Sequence, residues 1–107
     1  MGSKQFQAMK STAYFVDVSR GGVADHAALI EALNKGHIAG AALDVFPEEP
    51  LPADSPLWEM PNVLVSPHVA GLSQHYHQRA FELLKENLAR YLEARDLLNV
   101  VDLTQGY

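Results

Sequence analysis

The chain has 107 residues, 48% of them apolar and 20% charged, which suits one soluble domain whose folding removes roughly 60 to 70% of the extended chain's surface from water. Eight basic against thirteen acidic residues give a net charge of -5 with histidine neutral, which argues against a nonspecific nucleic-acid binder working through a basic surface. Cysteine is absent, excluding disulfides and thiolate metal sites; no apolar run approaches the roughly 18 residues of a membrane span, and Met1-Gly2-Ser3-Lys4 lacks the apolar core of a signal peptide, so a cytoplasmic location is expected.

Residues 13–19 (AYFVDVS) are rich in β-branched and aromatic side chains and almost continuously apolar, the pattern of a strand buried on both faces. Arg20-Gly21-Gly22 ends it. Asp25 is a good helix N-cap; Ala28, Leu29, Ala32 and Leu33 then fall on one helical face, and Lys35-Gly36 supplies a cation and a C′ glycine where the helix stops. Residues 38–46 (IAGAALDVF) read as a second buried strand. Strand, short helix and strand make a βαβ unit, whose crossover is expected to be right-handed.

Residues 47–61 hold five of the six prolines, so regular structure is not expected there. A loop this long in a compact domain usually has a function, and this one carries the carboxylates Glu48, Glu49 and Asp54 and the single tryptophan, Trp58. Residues 62–66 (NVLVS) form the third expected strand, closed by Pro67-His68. Beyond Gly71, Ser73 is placed to cap a long helix on which Tyr76, Ala80, Leu84, Leu88 and Leu92 recur every four residues with Leu83 and Tyr91 beside them. Residues 97–103 are a short apolar tail of undetermined type.

Arg20, Glu49 and His68 each follow one of the three expected strands. In an open parallel sheet the concave surface beyond the carboxyl ends of the strands is where ligands bind, so these groups collect along one reactive edge. A guanidinium there can grip a carboxylate or an oxygen gaining charge, and an imidazole can exchange a proton near neutral pH. A carboxylate beside that imidazole stabilises its charged form and fixes its tautomer. Asp44 is an acid inside an apolar strand, costly to bury unless donors meet it, whether from a cofactor amide or from the backbone. Metal catalysis is not expected: His75 and His77 stand about 200° apart around a helix, and no His-Glu-x-x-His pattern occurs. Ser66 with His68 lacks the oxyanion-hole glycine pattern of a hydrolase.

The stretches MKSTAYFVDVSRGGVADHAALIEALNKGHIAGAALDVFPEEPLP and SPLWEMPNVLVSPHVAG closely resemble the carboxyl-terminal half of the D-isomer-specific 2-hydroxyacid dehydrogenases, a family that includes phosphoglycerate dehydrogenase, glycerate dehydrogenase and glyoxylate or hydroxypyruvate reductase. The resemblance runs from about Phe6 to Gly71. It implies an α/β chain: half of a Rossmann-like NAD-binding domain over residues 1–72, with three parallel strands and a crossover helix, followed by a long C-terminal helix and tail over residues 73–107 belonging to the substrate and oligomerisation region. It implies that Arg20 binds the substrate carboxylate and carbonyl, that His68 is the general acid-base and that Glu49 pairs with it. Asp44 matches the aspartate that contacts the nicotinamide amide, and Ser19, Ala70 and Gly71, with Arg20 and His68 beside them, lie where the family lines the nicotinamide pocket.

The implied reaction is hydride transfer between NAD or NADP and a small 2-keto or 2-hydroxy acid. The family's glycine-rich phosphate turn does not occur in this sequence, nor does most of the substrate domain. Asp17 stands where the family commonly has Asn, and Asp25-His26 where Asp-Glu or Asp-Gln is common. Three strands with one crossover helix leave an edge and part of a sheet face bare, so self-association, or pairing with the missing amino-terminal half, is expected, with the long helix the element most suited to pair with another copy. A noncatalytic, self-associating half-Rossmann module or a complementing subunit is the competing reading.

Overall fold

The computed structural model describes residues 1–104 and divides the chain into two compact units, residues 1–70 and 71–107. The first contains α1 (Ser3–Gln7), β1 (Tyr14–Asp17), α2 (His26–Asn34), β2 (Gly40–Leu43), a 3₁₀ turn at Pro56–Trp58 and β3 (Val63–Val65). The three strands form one sheet in the order β1-β2-β3, with both pairings parallel. All three strands therefore end at the same sheet edge, as the α/β reading requires.

Register explains which residues are inside. Phe15, Ala41 and Val63 lie in one row across the sheet, and Asp17, Leu43 and Val65 in the next row on the same face. That face meets Phe6 of α1 and Ala28, Leu29, Ala32 and Leu33 of α2, with Ile38, Phe46 and Leu57 completing the core. Phe6 is fully buried and meets the Phe15 ring edge-on, with centroids 5.3 Å apart. α2 begins where Asp25 accepts a hydrogen bond from the Ala28 N–H at 3.1 Å and ends at Gly36, whose φ of 66° lies in the left-handed region that glycine enters without strain.

The opposite face is open, as three strands with one crossover helix imply, although the apolar runs taken singly read as strands buried on both faces. Tyr14, Val16, Val18 and Leu64 are 60% or more exposed, because α1 and α2 both pack against the Phe15–Ala41–Val63 side. A near-continuous apolar strand reads the same whether its second face is covered within this unit or by something else. Three local expectations also change. α1 precedes β1 and has too short an apolar repeat to be seen in sequence. The proline-rich loop does hold a turn of 3₁₀ helix, with Pro56 at its start and the Ser55 hydroxyl accepting from the Leu57 N–H. Strand boundaries contract by one to three residues at each end.

The second unit is α3 (Tyr76–Leu92) with a returning tail. His75, not Ser73, occupies its N-cap and makes no capping side-chain bond. Asn87 clasps the tail by accepting from the Leu98 N–H at 2.7 Å and donating to the Leu98 carbonyl at 3.1 Å, and Arg90 donates to the Asp96 carbonyl. The tail is neither strand nor helix. Among the described residues of this unit nothing covers the stripe of Leu84, Leu88 and Leu92.

Leu29 is fully buried while Leu64 is 63% exposed. Urea denaturation is expected to show Leu29→Ala destabilised by about 2–5 kcal/mol and Leu64→Ala changed by less than about 0.5 kcal/mol.

Candidate active site

The shared carboxyl edge of the strands places the reactive groups, and backbone hydrogen bonds aim them. Past β2, Asp44 is 4% exposed, yet its carboxylate is met on both oxygens: Oδ1 accepts from the Val69 N–H at 2.9 Å and Oδ2 from the Ala70 N–H at 2.7 Å. The Ser66 hydroxyl and these two amides hold the Asp44 carboxyl below its ordinary range, against the opposing effect of burial. The chain turns sharply just before these two amides. His68 makes that turn with φ of 56°, a left-handed conformation uncommon outside glycine.

The turn delivers the imidazole to Glu49. Glu49 Oε1 accepts from the Phe46 N–H at 2.9 Å, and Oε2 lies 2.7 Å from His68 Nδ1. The His68 hydrogen bond, followed by the Phe46 amide, lowers the Glu49 pKa, so the carboxyl is ionised at neutral pH. An ionised carboxylate only accepts, so the proton in this bond belongs to Nδ1 and Nε2 is left for a second partner. The pair is partly exposed, with side-chain accessibilities of 44% for His68 and 36% for Glu49, so solvent screens it and its main effect is orientation.

Arg20 sits beyond β1. Its Nη1 donates to the Ser19 carbonyl at 2.7 Å, and among the described residues it forms no ion pair. Ser19 is held in turn, its N–H and Oγ both donating to Asp17 Oδ1 at 3.0 and 2.6 Å. The structure thus joins Glu49 to His68 directly, while among the described residues Arg20, past the same sheet edge, makes no hydrogen bond or ion pair with either. Gly21 brings the two arms together: a Cβ there would lie 2.0 Å from the carbonyl carbon and oxygen of Phe46, so only glycine lets the Arg20 loop rest on the backbone that anchors Glu49. Gly22 faces open space.

Two hollows adjoin these groups. A cleft of about 420 Å³ is walled by Phe46, Leu51, Trp58 and Val65, with Glu49 and His68 as its titratable members. A shallower hollow of about 130 Å³ lies on the open sheet face over Val16, Val18 and Leu64 and is edged by Asp44, Ser66 and Ala70. It has an apolar floor with the Asp44 carboxylate at its rim. Of the remaining residues singled out from sequence, Ser19 lies at the end of β1 and Gly71 opens the second unit. Sequence reading missed Gly21 and the Phe46 amide as positioning elements; the Arg-Gly-Gly run was the signal for the first, and nothing in sequence marks the second. No group of three or more metal-ligating side chains occurs among the described residues.

The profile of the family described as D-isomer specific 2-hydroxyacid dehydrogenase, NAD binding domain, matches residues 1–70. The glyoxylate reductase of Korarchaeum cryptofilum is 43% identical over 95% of this chain and 31% of its own length, and glyoxylate/hydroxypyruvate reductase B of Escherichia fergusonii is 44% identical over 94% of this chain and 31% of its own. The chain therefore spans about a third of the length of these curated relatives. Among solved structures, a D-isomer specific 2-hydroxyacid dehydrogenase from Xanthobacter autotrophicus Py2 in complex with NADPH and MES superposes with a TM-score of 0.88 at 46% identity, covering all of this chain and 43% of that one. An NADPH-dependent glyoxylate/hydroxypyruvate reductase from Sinorhizobium meliloti in complex with NADP and sulfate superposes with a TM-score of 0.86 at 34% identity, covering all of this chain and 35% of that one.

Replacing Gly21 by Ala is expected to cost about 1–3 kcal/mol in urea denaturation, because the new methyl meets backbone that cannot yield, whereas Gly22→Ala stays within about 0.5 kcal/mol. Asp44 and Glu49 both have folded-state pKa values below their unfolded ones, so their contribution is present above the unfolded values near about 4 and is lost as pH falls through the folded ones. Thermal melts taken between pH 7 and pH 2 should fall at the acid end, and Asp44→Asn should flatten that fall.

Proposed function

The chain belongs to the D-isomer specific 2-hydroxyacid dehydrogenases, and on that premise we propose that it is the part of such an enzyme that carries the proton-transfer residues, acting with NAD or NADP on a small 2-keto acid such as glyoxylate or hydroxypyruvate. The observation that carries the reading is the 2.7 Å contact between His68 Nδ1 and Glu49 Oε2, which leaves Nε2 available to a substrate oxygen.

In this reading His68, protonated, gives the Nε2 proton to the ketone oxygen as the carbonyl carbon is reduced, and takes it back in the oxidative direction. Glu49 stabilises the imidazolium and keeps the Nδ1 edge turned away from substrate. Arg20 swings from the Ser19 carbonyl to grip the substrate carboxylate as a fork and to polarise its carbonyl. Asp44, Ser19, Ala70 and Gly71, with Arg20 and His68 beside them, line the nicotinamide site, Asp44 offering its remaining acceptor capacity to the carboxamide. When bound, the dinucleotide supplies the hydride. The residues that cradle pyrophosphate are not in this sequence, so the division into a nucleotide-binding half over residues 1–72 and a substrate and oligomerisation segment over residues 73–107 describes one part of a larger catalytic unit.

The open sheet face, with Tyr14, Val16, Val18 and Leu64 exposed, favours a second element of the same reading: the chain associates with a copy of itself or with an amino-terminal half that completes the sheet. The location proposed is the cytoplasm.

Oxidation of NADH or NADPH in the presence of glyoxylate, followed by absorbance with the chain alone and with a glycine-rich amino-terminal half of a relative added in trans, tests the catalytic reading. Turnover is expected in the mixture and to fall by about 10²- to 10⁴-fold in His68→Ala with the fold intact. Turnover that is absent from both preparations, or unchanged in His68→Ala, would mark the chain as a noncatalytic module. Light scattering coupled to size exclusion is expected to give a mass above the 11.8 kDa of one chain, or above the sum of both parts once the amino-terminal half is added; a lone 11.8 kDa species in both samples would contradict the association.

A further inference from the structure

We propose that the buried Asp17 carboxylate and the half-buried His26 ring form a donor–acceptor pair, closed through one ordered water, that sets the position of Arg20 relative to the Glu49–His68 pair. Among the described residues, two buried side-chain atoms lack a hydrogen-bond partner: Asp17 Oδ2 and His26 Nε2. One is an obligate acceptor in the ionised acid, and the other is a donor in one neutral tautomer. Asp17 is 3% exposed, in the inward-facing row of the sheet with Leu43 and Val65, and His26 is the first residue of α2. The Asp17 carbonyl accepts from the Asp44 N–H at 2.9 Å, and the His26 ring lies against Phe46, two residues beyond Asp44, so both residues border the same end of β2. Burial lowers the His26 pKa, and the Asp17 carboxylate, followed by that of Asp25, works against that lowering. Leaving both atoms unmatched in a packed interior would be costly, and one water with both partners removes the cost.

The pair lies at the root of both catalytic arms. From Asp17, Oδ1 holds the N–H and hydroxyl of Ser19, and the Ser19 carbonyl receives the Arg20 guanidinium. From His26, the ring packs edge-on against Phe46 with centroids 5.9 Å apart, and the Phe46 N–H anchors Glu49. A single polar bridge thereby connects the loop of Arg20 to the residue that holds Glu49. His26 and Asp17 touch no reacting group and act as positioning residues. Their relevance to catalysis rests on the role proposed for Arg20, whereas their pairing does not.

The test uses the full 107-residue chain labelled with ¹⁵N. Long-range proton–nitrogen correlation is expected to show neutral His26 protonated at Nε2, with exchange to a bound water. In His26→Phe, which keeps a ring against Phe46 but removes the donor, the Ser19 and Val23 amides should exchange at least about tenfold faster while those of Leu29, Ala32 and Leu33 do not change; His26→Gln, which restores a donor without titrating, should return them to within about twofold. A bare Nε2 with the proton on Nδ1, or Ser19 exchange that is the same in His26→Phe, would overturn the pairing. If His26→Phe loses α2 protection altogether, the wild-type tautomer alone decides. Turnover unaffected by Arg20→Ala would remove the role of Arg20 and leave the pairing standing, so the two failures are told apart.

Discussion

A carboxylate taken out of water has to be met by donors, and at Asp44 that requirement shapes the whole site. The residue stands where the central strand ends, almost wholly buried, and the donors that meet it include the amides of Val69 and Ala70, some 25 positions later in the chain. To present both amides, the backbone at His68 turns left-handed. The imidazole then meets Glu49, itself tied to the Phe46 amide two residues beyond Asp44. One buried charge at the end of β2 thus helps to place the Glu49–His68 pair without contacting it through a hydrogen bond. The energetic logic is asymmetric: the hydrogen bonds add little net stability over those made with water, but a missing one would leave a desolvated charge unmatched.

The sheet supplies what local hydrogen bonds cannot, namely a common edge. Parallel pairing aligns the ends of β1, β2 and β3, so Arg20, Glu49 and His68 gather although they are separated by tens of residues in sequence. The core that holds the sheet is one-sided, built from Phe6, α2 and the inward row of strand residues, and this asymmetry leaves Tyr14, Val16, Val18 and Leu64 in the open. The contact of Gly21 with the Phe46 backbone adds the last constraint, seating the Arg20 loop on the loop of Glu49.

Much of this was legible in the sequence because it rests on period and punctuation. Asp25, Lys35 and Gly36 bracket α2, the three apolar runs mark the strands, and the placing of Arg20, Glu49 and His68 after them follows from topology. That part of one face is bare followed from counting three strands against one crossover helix, but which face it is was not legible, since hydrophobicity records a preference for burial and not which neighbour provides it. Neither was α1, whose five residues hold one buried side chain, Phe6, and so no periodicity. Ser73 offered good capping chemistry, but the helix starts at Tyr76 after His75, a choice that propensity does not decide. Asp44 was flagged as an acid needing donors, yet which donors it finds depends on contacts across 25 and 26 residues. The unpartnered atoms of Asp17 and His26 escaped for the same reason.

The direct measurement is a pH titration followed by NMR at three atoms at once, the Asp44 carboxyl carbon and the amide protons of Val69 and Ala70. If Asp44 holds the His68 turn, all three shift together with one midpoint below the ordinary aspartate value of about 3.9. A carboxyl carbon titrating at the ordinary value, or amide protons that do not follow it, would show that the turn at His68 stands without Asp44 and would contradict the account.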